Sequence, residues 1–125
     1  AWQQRAAALR GQEVVADHNA WPYLMAFLGM KAEQFLEPKP GIPPTPRQIE
    51  FLTRYIPEHG VQAILYSAYT PAGTPQALAQ RTGIPKVLVC QNVREQAPCT
   101  DYFALVDYNI TQLLQHAVPR AAAAP

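Results

Sequence analysis

Short apolar runs alternate with segments of helical period four times along this chain, and that alternation restricts its folding more than any other feature. Val14, Val15 and Ala16 form the first run, within a strand expected over Gln12–Asp17. Glu33–Glu37 is a weaker second strand, Val61–Tyr66 a third and Lys86–Cys90 (KVLVC) a fourth. Helices lie between and after them. Over Ala20–Leu28, Trp21, Leu24, Met25 and Leu28 fall at i, i+3, i+4 and i+7, which makes one apolar face. Pro22 is tolerated there because first-turn N–H groups have no helical partner. Thr45, Pro46 and Gln48 read as N-cap, N1 and N3 of a capping box. Ile49, Leu52 and Ile56 continue that helix, and Pro57 and Gly60 end it. Thr74 and Pro75 start another in the same way, and Gly83 ends it. The last helix spans about Asp101–Ala117, with Phe103, Val106, Ile110, Leu113 and Leu114 facing inward. An alanine-rich helix over Gln3–Leu9 leads the chain and stops at Gly11.

This order predicts an α/β fold: a four-stranded parallel sheet with helices on both faces. Crossovers between parallel strands are then right-handed. A chain of 125 residues can bury roughly two-thirds of its unfolded surface as one domain. Being 49% hydrophobic and 15% charged, it has the material for a core. Its 13 prolines gather at element boundaries, where they fit best. The run PKPGIPPTP, Pro38–Pro46, reads as a stiff extended loop. The tail VPRAAAAP, Val118–Pro125, reads as frayed or disordered.

Several partners are disfavoured. Net charge is +1 and the arginines form no stripe, which argues against nucleic acid. No apolar stretch approaches the ~20 residues of a membrane span. The opening AWQQRAAALRG lacks both an initiator Met and the apolar centre of a signal peptide, so it reads as a processed or excised piece. Cys90 and Cys99 have neither C-x-x-C nor zinc-finger spacing. They suit a disulfide in an oxidising compartment or two buried thiols elsewhere.

In open parallel sheets, ligands bind beyond the carboxyl ends of the strands. That rule puts Asp17–Asn19, Glu37–Thr45, Ser67–Thr74 and Gln91–Pro98 on one rim. His18 leaves the first strand there, just before a helix, as a cap, a core residue or a ligand. Asp17 or Asn19 can serve as that helix's cap. His59 and His116 sit at helix ends, where positive charge is favourable. Catalytic signals are weak. There is no G-x-S-x-G elbow, Ser67 is the only serine, and a pairing of His18 with Cys90 or Cys99 carries no specific spacing. No phosphate-binding glycine motif is present.

The stretches DHNAWPYL, LEPKPGIPPTPRQI, AILYSAYTPAGTPQALAQRTGIPKVLV and DYFALVDYNITQLL together resemble the carboxyl-terminal lobe of zinc/manganese ABC-transporter solute-binding proteins. His18, Trp21 and Tyr23 fit the most specific motif. The resemblance spans about Trp2–Ala117. It implies residues 1–11 as the end of a preceding helix or linker, 12–117 as the carboxyl-terminal α/β lobe, and 118–125 as tail. It also implies a two-lobed protein with the metal in the cleft between lobes, and His18 as this lobe's histidine ligand. The family's usual carboxylate after the fourth strand has no counterpart in CQNVREQAPC, where Glu95 is near but shifted. Either Glu95 serves, or the metal takes water or a three-His shell, or binding has been lost; a His-dominated site with an open position is the favoured form.

The resemblance further implies metal-ion capture without catalysis. Zn²⁺ is the expected metal and Mn²⁺ the alternative. The site would be complete only with the amino-terminal lobe, so the isolated chain should bind zinc weakly or not at all. A membrane ABC permease is the implied partner and the periplasm the implied setting. That setting makes a Cys90–Cys99 disulfide across the Gln91–Pro98 loop plausible. The competing reading is a drifted lobe with another ligand or a protein-interaction role. A small enzyme using His18 with Cys90 or Ser67 ranks third. The expected site has the His18 imidazole facing solvent, with Trp21 and Tyr23 packed behind it.

Overall fold

The computed structural model describes residues 2–37, 39, 42–71, 73–95 and 97–117. The tail at 118–125 and part of the proline loop lie outside them. The elements, in order, are α1 (Trp2–Arg5), a 3-10 turn (Ala7–Leu9), β1 (Glu13–Ala16), α2 (Pro22–Leu28), β2 (Lys31–Phe35), α3 (Pro46–His59), β3 (Ala63–Tyr66), α4 (Gly73–Thr82), β4 (Lys86–Leu88) and α5 (Tyr102–His116). The sheet is parallel throughout, ordered β2-β1-β3-β4. The expected α/β architecture is therefore present, and the carboxyl ends of all four strands share one rim.

The two-residue period of the strands builds two cores. Val14 and Ala16 of β1, Ala63 and Leu65 of β3 and Val87 of β4 pack with Met25 and Leu28 of α2 and Val106, Ile110 and Leu113 of α5. Val15 and Ile64 point the other way, against Leu52, Tyr55 and Ile56 of α3 and Leu78 of α4. Helices therefore cover both faces of the sheet.

Local chemistry explains most boundaries. Thr45 Oγ1 accepts from Gln48 N at 3.1 Å, so the N-cap half of the expected capping box is formed. Asp101 caps α5 by accepting from Ala104 N at 2.8 Å. Gly29 ends α2 in the left-handed conformation, φ 69°, where a Cβ would also approach Arg10 Cγ to 3.1 Å. Several expected boundaries are corrected. The leading helix breaks at Ala6 (φ −93°, ψ 11°) into one α-turn and one 3-10 turn, and both Ala6 and Leu9 are buried. β2 begins two residues earlier than its weak pattern suggests, because it is the edge strand and shows Lys31 and Glu33 to solvent. α3 passes through Pro57 to His59 and is ended by Gly60 (φ 64°). α4 begins at Gly73, so Thr74 lies in its first turn rather than at its cap.

Cys90 and Cys99 are bonded to each other, closing the loop between β4 and α5. β4 stops at Leu88, short of the expected Cys90, because the buried Asn109 side chain takes over the pairing. Its Oδ1 accepts from Cys90 N at 2.7 Å and its Nδ2 donates to Cys90 O at 2.8 Å. Among the described residues, no helix is long and apolar enough to cross a membrane.

Candidate metal site

β1 delivers Asp17 and His18 to the rim. The sheet ladder extends one residue past the strand: Asp17 N donates to Leu65 O at 2.8 Å, and Glu37 N donates to Asp17 O at 2.9 Å. The chain then leaves the sheet at His18, and Ala20 N donates back to His18 O at 2.8 Å. α2 starts without a side-chain cap, its N-cap residue being Trp21. The capping role open to Asp17 is therefore not used, and its carboxylate is turned to other partners.

Those partners are His18 and Thr70. Asp17 is 8% exposed. Its Oδ2 lies 3.0 Å from His18 Nδ1 and accepts from Thr70 Oγ1 at 3.1 Å. An ionised carboxylate has no proton to give, so Nδ1 of His18 must be the donor. The neutral ring then carries its lone pair on Nε2. His18 is half-buried, which removes the core reading. One donor atom each from Asp17, His18 and Glu37 lies within 4.8 Å of the other two. With Nδ1 of His18 given to Asp17, the groups left to face an ion are the His18 Nε2 lone pair and the Glu37 carboxylate. An imidazole nitrogen beside carboxylate oxygens is a donor set suited to a divalent zinc- or manganese-like cation.

The wall behind His18 differs in part from expectation. Trp21 packs there, its ring centroid 6.1 Å from that of His18, and its Nε1 donates to Cys90 O at 3.0 Å. Tyr23 does not pack behind the site. It is 89% exposed, on the solvent side of the first turn of α2, and lines an apolar groove with Trp2, Trp21, Phe27 and Tyr102.

Glu95 lies in the β4–α5 loop, and the structure does not bring it into the Asp17–His18–Glu37 group. Next to Arg94, which takes a left-handed φ of 69°, its carboxylate accepts three backbone amides. They are Gln91 N at 3.1 Å, Asn92 N at 3.3 Å and, across in the β3–α4 loop, Ala68 N at 3.1 Å. Ser67 is buried, and its Oγ accepts from Tyr69 N at 3.2 Å. The disulfide engages Cys90 and Cys99. His59 and His116 close α3 and α5, as their helix-end positions suggested.

Sequence reasoning missed Asp17, Glu37 and Thr70. Asp17 carried a signal, being adjacent to His18 at a strand exit, but capping explained it equally well. Glu37 opens the proline loop on the same rim. Thr70 is 53 residues from Asp17, and only the fold brings them together.

The family model for the periplasmic zinc-uptake complex component A (ZnuA) matches residues 1–116. The chain belongs to this family. It is a family of solute-binding transport components rather than of enzymes. Comparison with curated proteins returns no match. Solved structures with the same fold include the laminin-binding protein Lbp of Streptococcus pyogenes, at TM-score 0.74 and 24% identity, covering 93% of this chain and 46% of that one. They also include FpvC of Pseudomonas aeruginosa in complex with Mn²⁺, at TM-score 0.74 and 18% identity over 96% of this chain and 46% of that one. A structure of ZnuA gives TM-score 0.74 and 14% identity, covering 93% and 42% respectively. The chain thus spans less than half the length of the solved structures it matches.

Proposed function

We propose that this chain is the carboxyl-terminal, metal-holding lobe of an extracytoplasmic zinc-uptake binding protein. It captures a divalent metal for delivery to an ABC permease and performs no chemistry on it. Residues 12–117 form the lobe in this reading, and 1–11 lead into it. His18 is the donor, through Nε2.

The observation that carries this is the hydrogen bond from His18 Nδ1 to Asp17. A metal-bound histidine characteristically gives its other ring N–H to a carboxylate, which fixes its tautomer and orientation and raises its basicity. Here that partner is in place. Glu37 adds a second carboxylate beside the ring. An imidazole donor favours zinc, and the Glu37 carboxylate beside it keeps manganese as the alternative. Glu95 is assigned to holding two loops together rather than to the metal, because three amides already occupy its carboxylate. One lobe still supplies fewer than the three or four protein donors zinc prefers. The remaining donors come, in this reading, from an amino-terminal lobe across the cleft, and the lobe alone binds weakly.

Calorimetric titration of the chain with zinc, beside His18→Ala, tests the reading. A single weak site in the wild type, with affinity reduced roughly tenfold or more by the substitution, is expected. Equal zinc binding by the two proteins removes His18 as the ligand.

A further inference from the structure

We propose that Thr70 is a positioning residue for the metal-binding imidazole: its hydroxyl fixes Asp17, and through Asp17 it selects the tautomer and orientation of His18. This rests on the metal-binding reading above. Thr70 itself touches no metal.

The Asp17 backbone is already locked, with its N–H bonded to β3 and its carbonyl to Glu37. The side chain is what remains to be set. A carboxylate at a strand exit can turn about its own bonds and face either its neighbour or solvent. Thr70 removes that freedom. Its Oγ1 accepts from Ser67 N at 3.1 Å, and its own N–H donates to Ser67 O at 3.0 Å, so the residue is clamped in a tight turn. A hydroxyl has one proton to give. With its acceptor side engaged by an amide, that proton goes to Asp17 Oδ2 at 3.1 Å, which is nearer and negatively charged, rather than to Ser67 Oγ at 3.5 Å. The same oxygen receives His18 Nδ1–H.

The turn is held in its own right. Glu95 accepts Ala68 N from the far side, and Glu95 belongs to the loop closed by the Cys90–Cys99 bond. A continuous line of contacts therefore runs from the disulfide loop through Glu95 to the β3–α4 turn. From that turn it runs through Thr70 and Asp17 to His18. Each residue along it presents one specific atom to the next. Outer partners of this kind commonly change metal affinity 10- to 100-fold when removed.

The test compares wild type, Thr70→Val and Thr70→Ser, each as the full chain with its disulfide. Valine keeps the shape and removes the hydroxyl, while serine restores it. Long-range ¹H–¹⁵N spectra of the metal-free proteins, in alkaline buffer where imidazole is neutral, report which His18 nitrogen bears the proton. Zinc calorimetry reports affinity. The expected result is a His18 held as the Nδ1–H tautomer in wild type and Thr70→Ser. In Thr70→Val it becomes a mixture, with zinc affinity down roughly tenfold. An unchanged tautomer in Thr70→Val overturns the proposal, whatever its zinc affinity. If the wild type binds no zinc, the metal reading fails by itself, and the tautomer in the metal-free proteins still decides Thr70. Thr70→Ala replaces the valine variant should the latter not fold.

Discussion

At the scale of single residues, the molecule separates histidines by what faces their ring nitrogens. His18 faces a carboxylate. His59 faces a backbone carbonyl, with Nδ1 3.1 Å from Tyr55 O, and its ring stacks on Tyr55 at 3.8 Å between centroids. Tyr55 in turn donates its hydroxyl to Glu13 at the opposite end of β1. Burial first, then the Glu13 hydrogen bond and the charges of Glu13 and Glu33, push its phenol up to about 12. The folded state therefore holds a proton that the unfolded chain releases near pH ~10. The stability this contributes is complete below that pH and is lost as pH rises through about 12. Ultraviolet titration should show one of the six tyrosines ionising last. Glu13→Gln should bring that transition down. If all six ionise together near pH ~10, Tyr55 is not held as described.

At the scale of elements, the β4–α5 loop is the most heavily fastened part of the rim. The disulfide joins its ends, Asn109 and Trp21 hold the Cys90 backbone, and Glu95 ties the loop to its neighbour. A bridge across nine positions is worth about 2–3 kcal/mol by loop entropy. Reduction should lower the midpoint of thermal unfolding by roughly 10 °C for a domain this small. Calorimetry with and without a phosphine reductant measures it, and an unchanged midpoint would show that the packing holds the loop without the bond.

The same loop marks where the sequence stopped being readable. Strands with inward-pointing aliphatic residues, such as Val14–Ala16 and Ala63–Leu65, were legible because their burial forces the pattern. So were the Thr45 and Asp101 helix starts, whose capping chemistry is local. β2 was misplaced because an edge strand has no such demand on its outer residues. The end of β4 was not readable because a side chain from α5, 19 residues later, replaces a strand partner. His18 was found through its motif and its place at a strand exit. Its carboxylate and hydroxyl partners were hidden, since Asp17 has a capping alternative and Thr70 reaches it only through the parallel pairing of β1 with β3.

At the scale of the whole molecule, parallel strand order explains why the site is where it is. All four strand ends open onto one rim, and the chain's exit from β1 sets an imidazole there over the buried Trp21. The opposite rim carries the Tyr55–Glu13 contact, so the two faces have separate chemistry. A single lobe offers an ion one side of a shell. In the proposed reading His18 belongs to a half-site, oriented by Asp17 and Thr70 and completed from across a cleft.

In the proposed reading His18, through Nε2, is the metal donor of this lobe. Zinc titration of the ¹⁵N-labelled chain, followed through the imidazole resonances of its three histidines, tests it most directly. Nε2 of His18 should move progressively with added zinc while His59 and His116 stay in place. A His18 signal that stays still while either of the others moves would contradict it.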